Sequence, residues 1–147
     1  MSEVTVSPEV FLAMGREVLA QQPFSVLIGA ELTALSPGRC ELQLPVTDAV
    51  KQQHGFVHGG VVSYAADNAL TYAGGTALRV PVVTAEFKIN YVRPAIGERL
   101  IARAEAVYAG QTQAVCRCEV FVLQDGQEKL CAVAQGTIAA LPPSRGS

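Results

Sequence analysis

Between Gln52 and Asp67 the stretch QQHGFVHGGVVSYAAD gathers the side chains best suited to chemistry. Gly59-Gly60 stands where a run of small and apolar residues begins. If that run is a helix, its first turn carries unpaired backbone N–H groups and about half a positive charge, which attract an anion or a developing oxyanion. Glycine there lets a ligand carbonyl come close to the backbone, although a plain loop-to-helix junction has the same composition. Asp67 is a poor residue for a helix interior. It sits among Ala65, Ala66 and Ala69, with no other charged residue between Val57 and Leu78. A carboxylate in such surroundings must face water, a partner or a substrate, because burying it unpaired is costly. His54 and His58 are the chain's two histidines. Histidine can exchange a proton near neutral pH, but one in a loop also serves as a plain hydrogen-bonding residue, and His58 is read as structural or as part of an oxyanion loop. Gln52 and Gln53 bring amides that could orient a carbonyl or a water.

Spacing constrains how these groups work together. Gly59 and Asp67 are eight helical steps apart, or roughly 12 Å at 1.5 Å per residue. One carbonyl cannot touch both. If both serve one reaction, two copies of the helix must run antiparallel across a two-fold axis, so that Gly59 of one copy nears Asp67 of the other. A catalytic reading therefore predicts an obligate dimer with two sites at its interface.

The elements that would carry the site follow from local pattern. Ser7-Pro8-Glu9 opens a helix that runs to Gln21 or Gln22 and stops before Pro23, with serine as N-cap and proline in the first turn. Phe24 to Leu35 is apolar and compatible with a strand. Ser36-Pro37-Gly38 turns the chain into a second strand, where Cys40, Leu42, Leu44 and Val46 alternate with Glu41 and Gln43. The segment from His58 predicts a buried helix closing near Gly74-Gly75. Four strands follow. In the first, Ala85, Phe87, Ile89 and Tyr91 share one face while Thr84, Glu86, Lys88 and Asn90 share the other. Leu100 to Tyr108, Thr112 to Leu123 and Glu128 to Ala140 are the rest, the last two joined by the hairpin signal Asp125-Gly126. Short connections make sequential strands neighbours, except where the helix intervenes. The class is α+β: a six-stranded antiparallel sheet around one apolar helix, preceded by an N-terminal helix.

Composition bounds the rest. The chain has 147 residues, 50% hydrophobic and 16% charged, with a net charge of −2. That is one domain spanning 1–147, with a tail from Leu141 expected to fray. Intrinsic disorder is excluded, and so much apolar surface predicts a subunit interface. No basic tract suits nucleic acid, and no apolar run reaches the roughly 20 residues of a membrane helix. Cys116 and Cys118 fall on one face of a strand; with Cys40 and Cys131 they are expected to be buried, reduced thiols of a cytoplasmic protein rather than metal ligands. The N-terminus shows no secretory signal. Nucleophile-elbow, P-loop, dinucleotide-binding and zinc-protease motifs are absent from the sequence.

HGFVHGGVVSYAADNALTYAGG, then TAEFKINYVRP, then GTIAAL resembles the hotdog-fold acyl-CoA thioesterases of the PaaI-like (phenylacetate-degradation) group, over about residues 21–141. The resemblance implies a hotdog fold with the long helix wrapped by six antiparallel strands, and dimers whose sheets join edge to edge, often paired again into tetramers. It implies Asp67 as the catalytic carboxylate, acting as nucleophile or as general base on a water. It gives Gly59 a backbone N–H for the thioester oxygen, and Thr84 the place of a Ser or Thr that helps hold the water. Gln52 stands where many members carry Asn, an arm one carbon longer. No cofactor is implied beyond the coenzyme A of the substrate.

Gly60 is a candidate for contact with the substrate, Tyr64 for lining an acyl pocket, and Lys88 and Arg93 for meeting the phosphates of coenzyme A. Each has an ordinary structural explanation as well: helix start, core packing, solvated sheet face. Two other functions compete. A non-catalytic acyl-CoA binding or sensing module would keep the pocket but could dispense with Asp67. A hotdog hydratase or dehydratase would want a histidine base, and both histidines precede the helix.

Overall fold

Ser7 begins the first helix as its neighbours predict. Its hydroxyl accepts the Val10 N–H at 3.2 Å at the start of α1 (Pro8–Ala20), filling one donor that a first turn leaves unpaired. The structure, a computed structural model, describes residues 5–143. Residues 1–4 and 144–147, the latter part of the expected tail, lie outside the described residues. The apolar stretch after α1 is not one extended segment. Pro23 opens a short helix, α2 (Pro23–Ile28), and Gly29, with φ 76°, closes it before β1 (Glu31–Ser36). A proline at the first helical position and a left-handed glycine beyond the last outweigh the β-compatible side chains between them.

The remaining elements are β2 (Arg39–Pro45), α3 (Gly59–Leu78), β3 (Val82–Tyr91), β4 (Arg99–Ala109), β5 (Gln113–Gln124) and β6 (Gln127–Ala140). All strand pairs are antiparallel, in one six-stranded sheet ordered β1-β2-β4-β5-β6-β3. The β5–β6 hairpin turns on Asp125 and Gly126, both left-handed at φ 52° and 78°, as a two-residue hairpin requires. β3 departs from neighbour pairing: it lies at the far edge beside β6 and not beside β4. Residues 92–98 cross the end of the sheet to reach β4, held by Val92 N–H to Cys131 O at 2.9 Å and Glu98 N–H to Leu123 O at 2.8 Å. With β3 at that edge, the sheet encloses the apolar helix from both sides.

α3 buries Val62, Ala65, Ala66, Ala69, Leu70, Ala73 and Gly74 against inward side chains that include Leu42, Leu100, Val120 and Ile138. Each fully buried leucine contributes about 2 kcal/mol by removal from water. The helix does not stop at Gly74-Gly75. It runs on to Leu78 and ends on Arg79, left-handed at φ 61°. Gly74 serves contact: a Cβ there would lie 2.5 Å from Ile138.

β3 also departs from simple alternation. Thr84 pairs with Ile138 and Glu86 with Thr137, which leaves Ala85 as an extra residue in a bulge. Ala85 is exposed, and Thr84 turns to the same side as Phe87 and Ile89, toward α3. All four cysteines are free and buried. Burial pushes the Cys116 thiol up to about 11, and burial with the nearby Glu119 charge pushes Cys118 up to about 12. Among the described residues, no group of three or more His, Cys, Asp or Glu could hold a metal ion, and no helix is long and apolar enough to cross a membrane.

Candidate active site

The first turn of α3 leaves one backbone donor open. His58 is the N-cap, and its Nδ1 accepts the Gly60 N–H at 2.8 Å. Its carbonyl accepts from Val61 at 2.9 Å and from Val62 at 3.2 Å. The N–H of Gly59 has no partner among the described hydrogen bonds. An acceptor Nδ1 carries no proton, so His58 acts here as a cap that selects which N–H stays free. Gly60, expected at the substrate, has its N–H occupied by that cap.

Gln52 reaches the same place from the preceding loop. Its Oε1 accepts from the N–H of His54 and, at 3.4 Å, from that of Phe56. The carbonyl end of the amide thus shapes the 52–56 turn, while the Nε2 end has no partner among the described residues. The turn is pinned by Val57 N–H to Ala95 O at 3.0 Å, which brings the β3–β4 crossing against it. Between them lies a cavity of about 370 Å³, bounded among others by Gln52, Phe56, Gly59, Tyr91, Arg93 and Cys131. Arg93 is exposed at its rim and has no ion-pair or side-chain hydrogen-bond partner among the described residues. Four groups singled out in the sequence, Gln52, His58, Gly59 and Arg93, therefore meet at this end of the helix.

Asp67 belongs to a second cluster. Its Oδ1 accepts the Thr84 hydroxyl at 2.6 Å, a contact the β3 bulge makes available. Thr71, one turn on, donates to the Asp67 carbonyl at 2.8 Å and lies 3.0 Å from the Thr84 hydroxyl. The other Asp67 carboxylate oxygen has no partner among the described residues, and the residue is half-buried. Sequence reasoning missed Thr71, although its spacing of four from Asp67 on one helix was a usable signal.

Within one protomer the two clusters stay apart. They are eight residues apart along α3, about 12 Å of helix, and the Gly59 cavity does not extend to Asp67. Tyr64 and Lys88 join neither. The Tyr64 hydroxyl bonds Ser25 and accepts from Asn68 at 3.0 Å, and its ring meets Phe24 edge-on at 5.1 Å, tying α2 to α3. Lys88 is exposed on β3, opposite Gln135, on the face pointing away from α3.

Comparison with known proteins fits this architecture. Residues 54–129 match the model of the thioesterase superfamily. A putative esterase of Saccharolobus solfataricus is 30% identical over 138 residues, 93% of this chain and 90% of that one. A medium/long-chain acyl-CoA thioesterase of Escherichia coli is 27% identical, covering 82% of this chain and 88% of its own length. Among solved structures, a thioesterase family protein from Silicibacter pomeroyi superposes with a TM-score of 0.83 at 40% identity, over 88% of this chain and 98% of that one. The PaaI protein of the E. coli phenylacetic acid degradation operon gives 0.82 at 20% identity, over 92% and 97%, a likeness of fold. Six antiparallel strands around a long helix, an open N–H at that helix's start and these matches lead to one conclusion: the chain is a hotdog-fold member of the thioesterase superfamily, an enzyme family that hydrolyses thioesters.

Proposed function

We propose that the protein hydrolyses an acyl-CoA thioester to the free acid and coenzyme A, at two equivalent sites shared between the subunits of a homodimer. The observation that carries this reading is that the Gly59 N–H and the Gln52 Nε2, both without a partner among the described residues, belong to residues lining one cavity, with Asp67, held by Thr84 of β3, two turns farther along the same helix. Two unpaired donors lining one cavity suit the oxygen of a thioester carbonyl, whose negative charge grows in the transition state. Asp67 of the second subunit then acts on the carbonyl carbon, directly or by taking a proton from a water. On the direct route the acyl group passes to Asp67 as the C–S bond breaks, and water then cleaves that anhydride. On the other, the water adds to the carbonyl carbon and the C–S bond breaks. On either, the water supplies one oxygen and its proton goes to the sulfur, which leaves as coenzyme A. Thr84 holds one Asp67 oxygen and leaves the other free to react.

The edge position of β3 supports the dimer. It is a ten-residue strand with one side unpaired, and such edges are templates for pairing with another chain. Two β3 strands running antiparallel across a two-fold axis would set the two α3 helices antiparallel as well, with Gly59 of each toward Asp67 of the other. The exposed Arg93 at the cavity rim is the better placed of the two cations for a coenzyme A phosphate. Four buried, unpaired thiols fit a reducing, cytoplasmic setting.

The test is complementation between Asp67→Asn and Gln52→Ala, each assayed alone and after mixed refolding, following released coenzyme A by mass spectrometry over short, medium and aryl acyl-CoAs. Half of randomly mixed dimers are mixed, and each has one intact shared site, so about a quarter of wild-type activity should return. A site built within one subunit would return none, and a monomer in solution would overturn the reading.

A further inference from the structure

We infer that Tyr91 is a positioning residue for the oxyanion donor: its hydroxyl, together with Ser63, locks the peptide that follows Gly59. This rests on the reading that the Gly59 N–H binds the thioester oxygen. Tyr91 ends β3, and its hydroxyl donates to the Gly59 carbonyl at 3.1 Å. The same hydroxyl lies 2.6 Å from Ser63 Oγ. A phenol has one proton, so with that proton on the Gly59 carbonyl the Ser63 hydroxyl must donate to Tyr91. The result is a relay across one helical turn, from Ser63 to Tyr91 to the backbone of Gly59.

The need for such a lock follows from glycine. The peptide before Gly59 is held because the His58 carbonyl accepts from Val61 and Val62. The peptide after it is held at one end by the Gly60 N–H on His58 and at the other by two donors on the Gly59 carbonyl, the helical Ser63 N–H and the Tyr91 hydroxyl. Between these planes stands a residue without a Cβ, the least restrained hinge a backbone can have. The Tyr91 ring packs over that hinge: a Cβ on Gly59 would lie 3.6 Å from it, in ordinary contact. Tyr91 is also half-exposed and lines the cavity with Gln52 and Arg93. The Gly59 carbonyl already accepts from the Ser63 N–H within the helix, so the Tyr91 hydroxyl is a second donor on it, one that ties the first turn of α3 to the end of β3. A donor that must hold its aim while charge develops gains from such preorganisation.

Tyr91→Phe keeps the ring and removes the lock. The prediction is a fall in kcat of about tenfold, with KM within about twofold. A second readout is the infrared carbonyl stretch of a bound ketone analogue, in which a methylene replaces the thioester sulfur. That stretch should lie at lower frequency on the wild-type enzyme and move back toward its solution value on Tyr91→Phe. Ser63→Ala should show the same pattern at smaller amplitude. An unchanged kcat, a rise in KM alone, or a fall in kcat with the ketone stretch unmoved would each overturn the proposal. Asp67→Asn run in parallel separates the two levels. If it turns over at the wild-type rate, the shared-site reading fails; if it is inactive while Tyr91→Phe is normal, only the positioning role falls.

Discussion

Two polar clusters on opposite faces of the sheet are built on different plans. On the face away from α3, Arg103 bonds Glu128 through both terminal nitrogens at 2.7 Å and Glu41 through Nε at 2.8 Å, and lies over the Phe121 ring at 5.2 Å. Glu41 also accepts from Thr33 at 2.7 Å and Gln43 at 3.1 Å. Burial alone would raise the Glu41 carboxyl, but the hydrogen bonds from Thr33, Arg103 and Gln43 outweigh it and hold that carboxyl below its ordinary value. The Arg103 hydrogen bonds hold Glu128 low as well. This cluster is closed on itself. At the start of α3 the Gly59 N–H, the Gln52 amide nitrogen and the Arg93 guanidinium border a cavity with no partner among the described residues, and the same holds for one Asp67 oxygen farther along the helix. Polar groups that satisfy one another hold a fold together, whereas unpaired groups beside a cavity remain free to meet a ligand.

That contrast can be broken experimentally. The largest effect is expected at Asp67: Asp67→Asn should lower kcat about a thousandfold while the thermal midpoint stays near wild type, because only one of its oxygens is held by the fold. Gln52→Ala removes one proposed oxyanion donor, and kcat should drop about a hundredfold. A wild-type rate would place the amide outside the site. Gly136→Ala probes the bulge that delivers Thr84. Its Cβ would stand 2.5 Å from the Phe87 Cβ and 2.6 Å from the Glu86 carbonyl oxygen. Overpacking of this kind costs about 1–3 kcal/mol, so the midpoint and kcat should fall together as Thr84 shifts. The smallest effect belongs to the closed cluster. Arg103→Met should leave kcat unchanged and cost no more than about 1 kcal/mol, since the pairs are partly exposed. Its pH dependence has a definite sign. Carboxyls held low in the folded state stabilise above their unfolded value of 4.5, and that contribution is lost as pH falls through the folded values. Urea midpoints of wild type and Arg103→Met should therefore differ at about pH 7 and converge as pH is lowered below 4.5.

Local signals in the chain were enough for much of this. Ser7-Pro8, the Asp125-Gly126 hairpin and the small-residue run of α3 act over a few residues, and each behaves as its chemistry requires. The spacing of Gly59 and Asp67 by itself placed the two groups about 12 Å apart, because helical rise is a constant. Other features needed the assembled sheet. Gly74-Gly75 reads as a stop until Ile138 is seen pressed against the helix. The Ala85 bulge, which reverses the facing of Thr84 and brings it to Asp67, depends on register with β6, some fifty residues downstream. Placement of β3 at the far edge, and with it the contact of Tyr91 with Gly59, depends on which strand completes the cover of the helix. Periodicity along a chain reports which residues share a face; which face meets which neighbour is a matter of long-range pairing, settled only when the core closes.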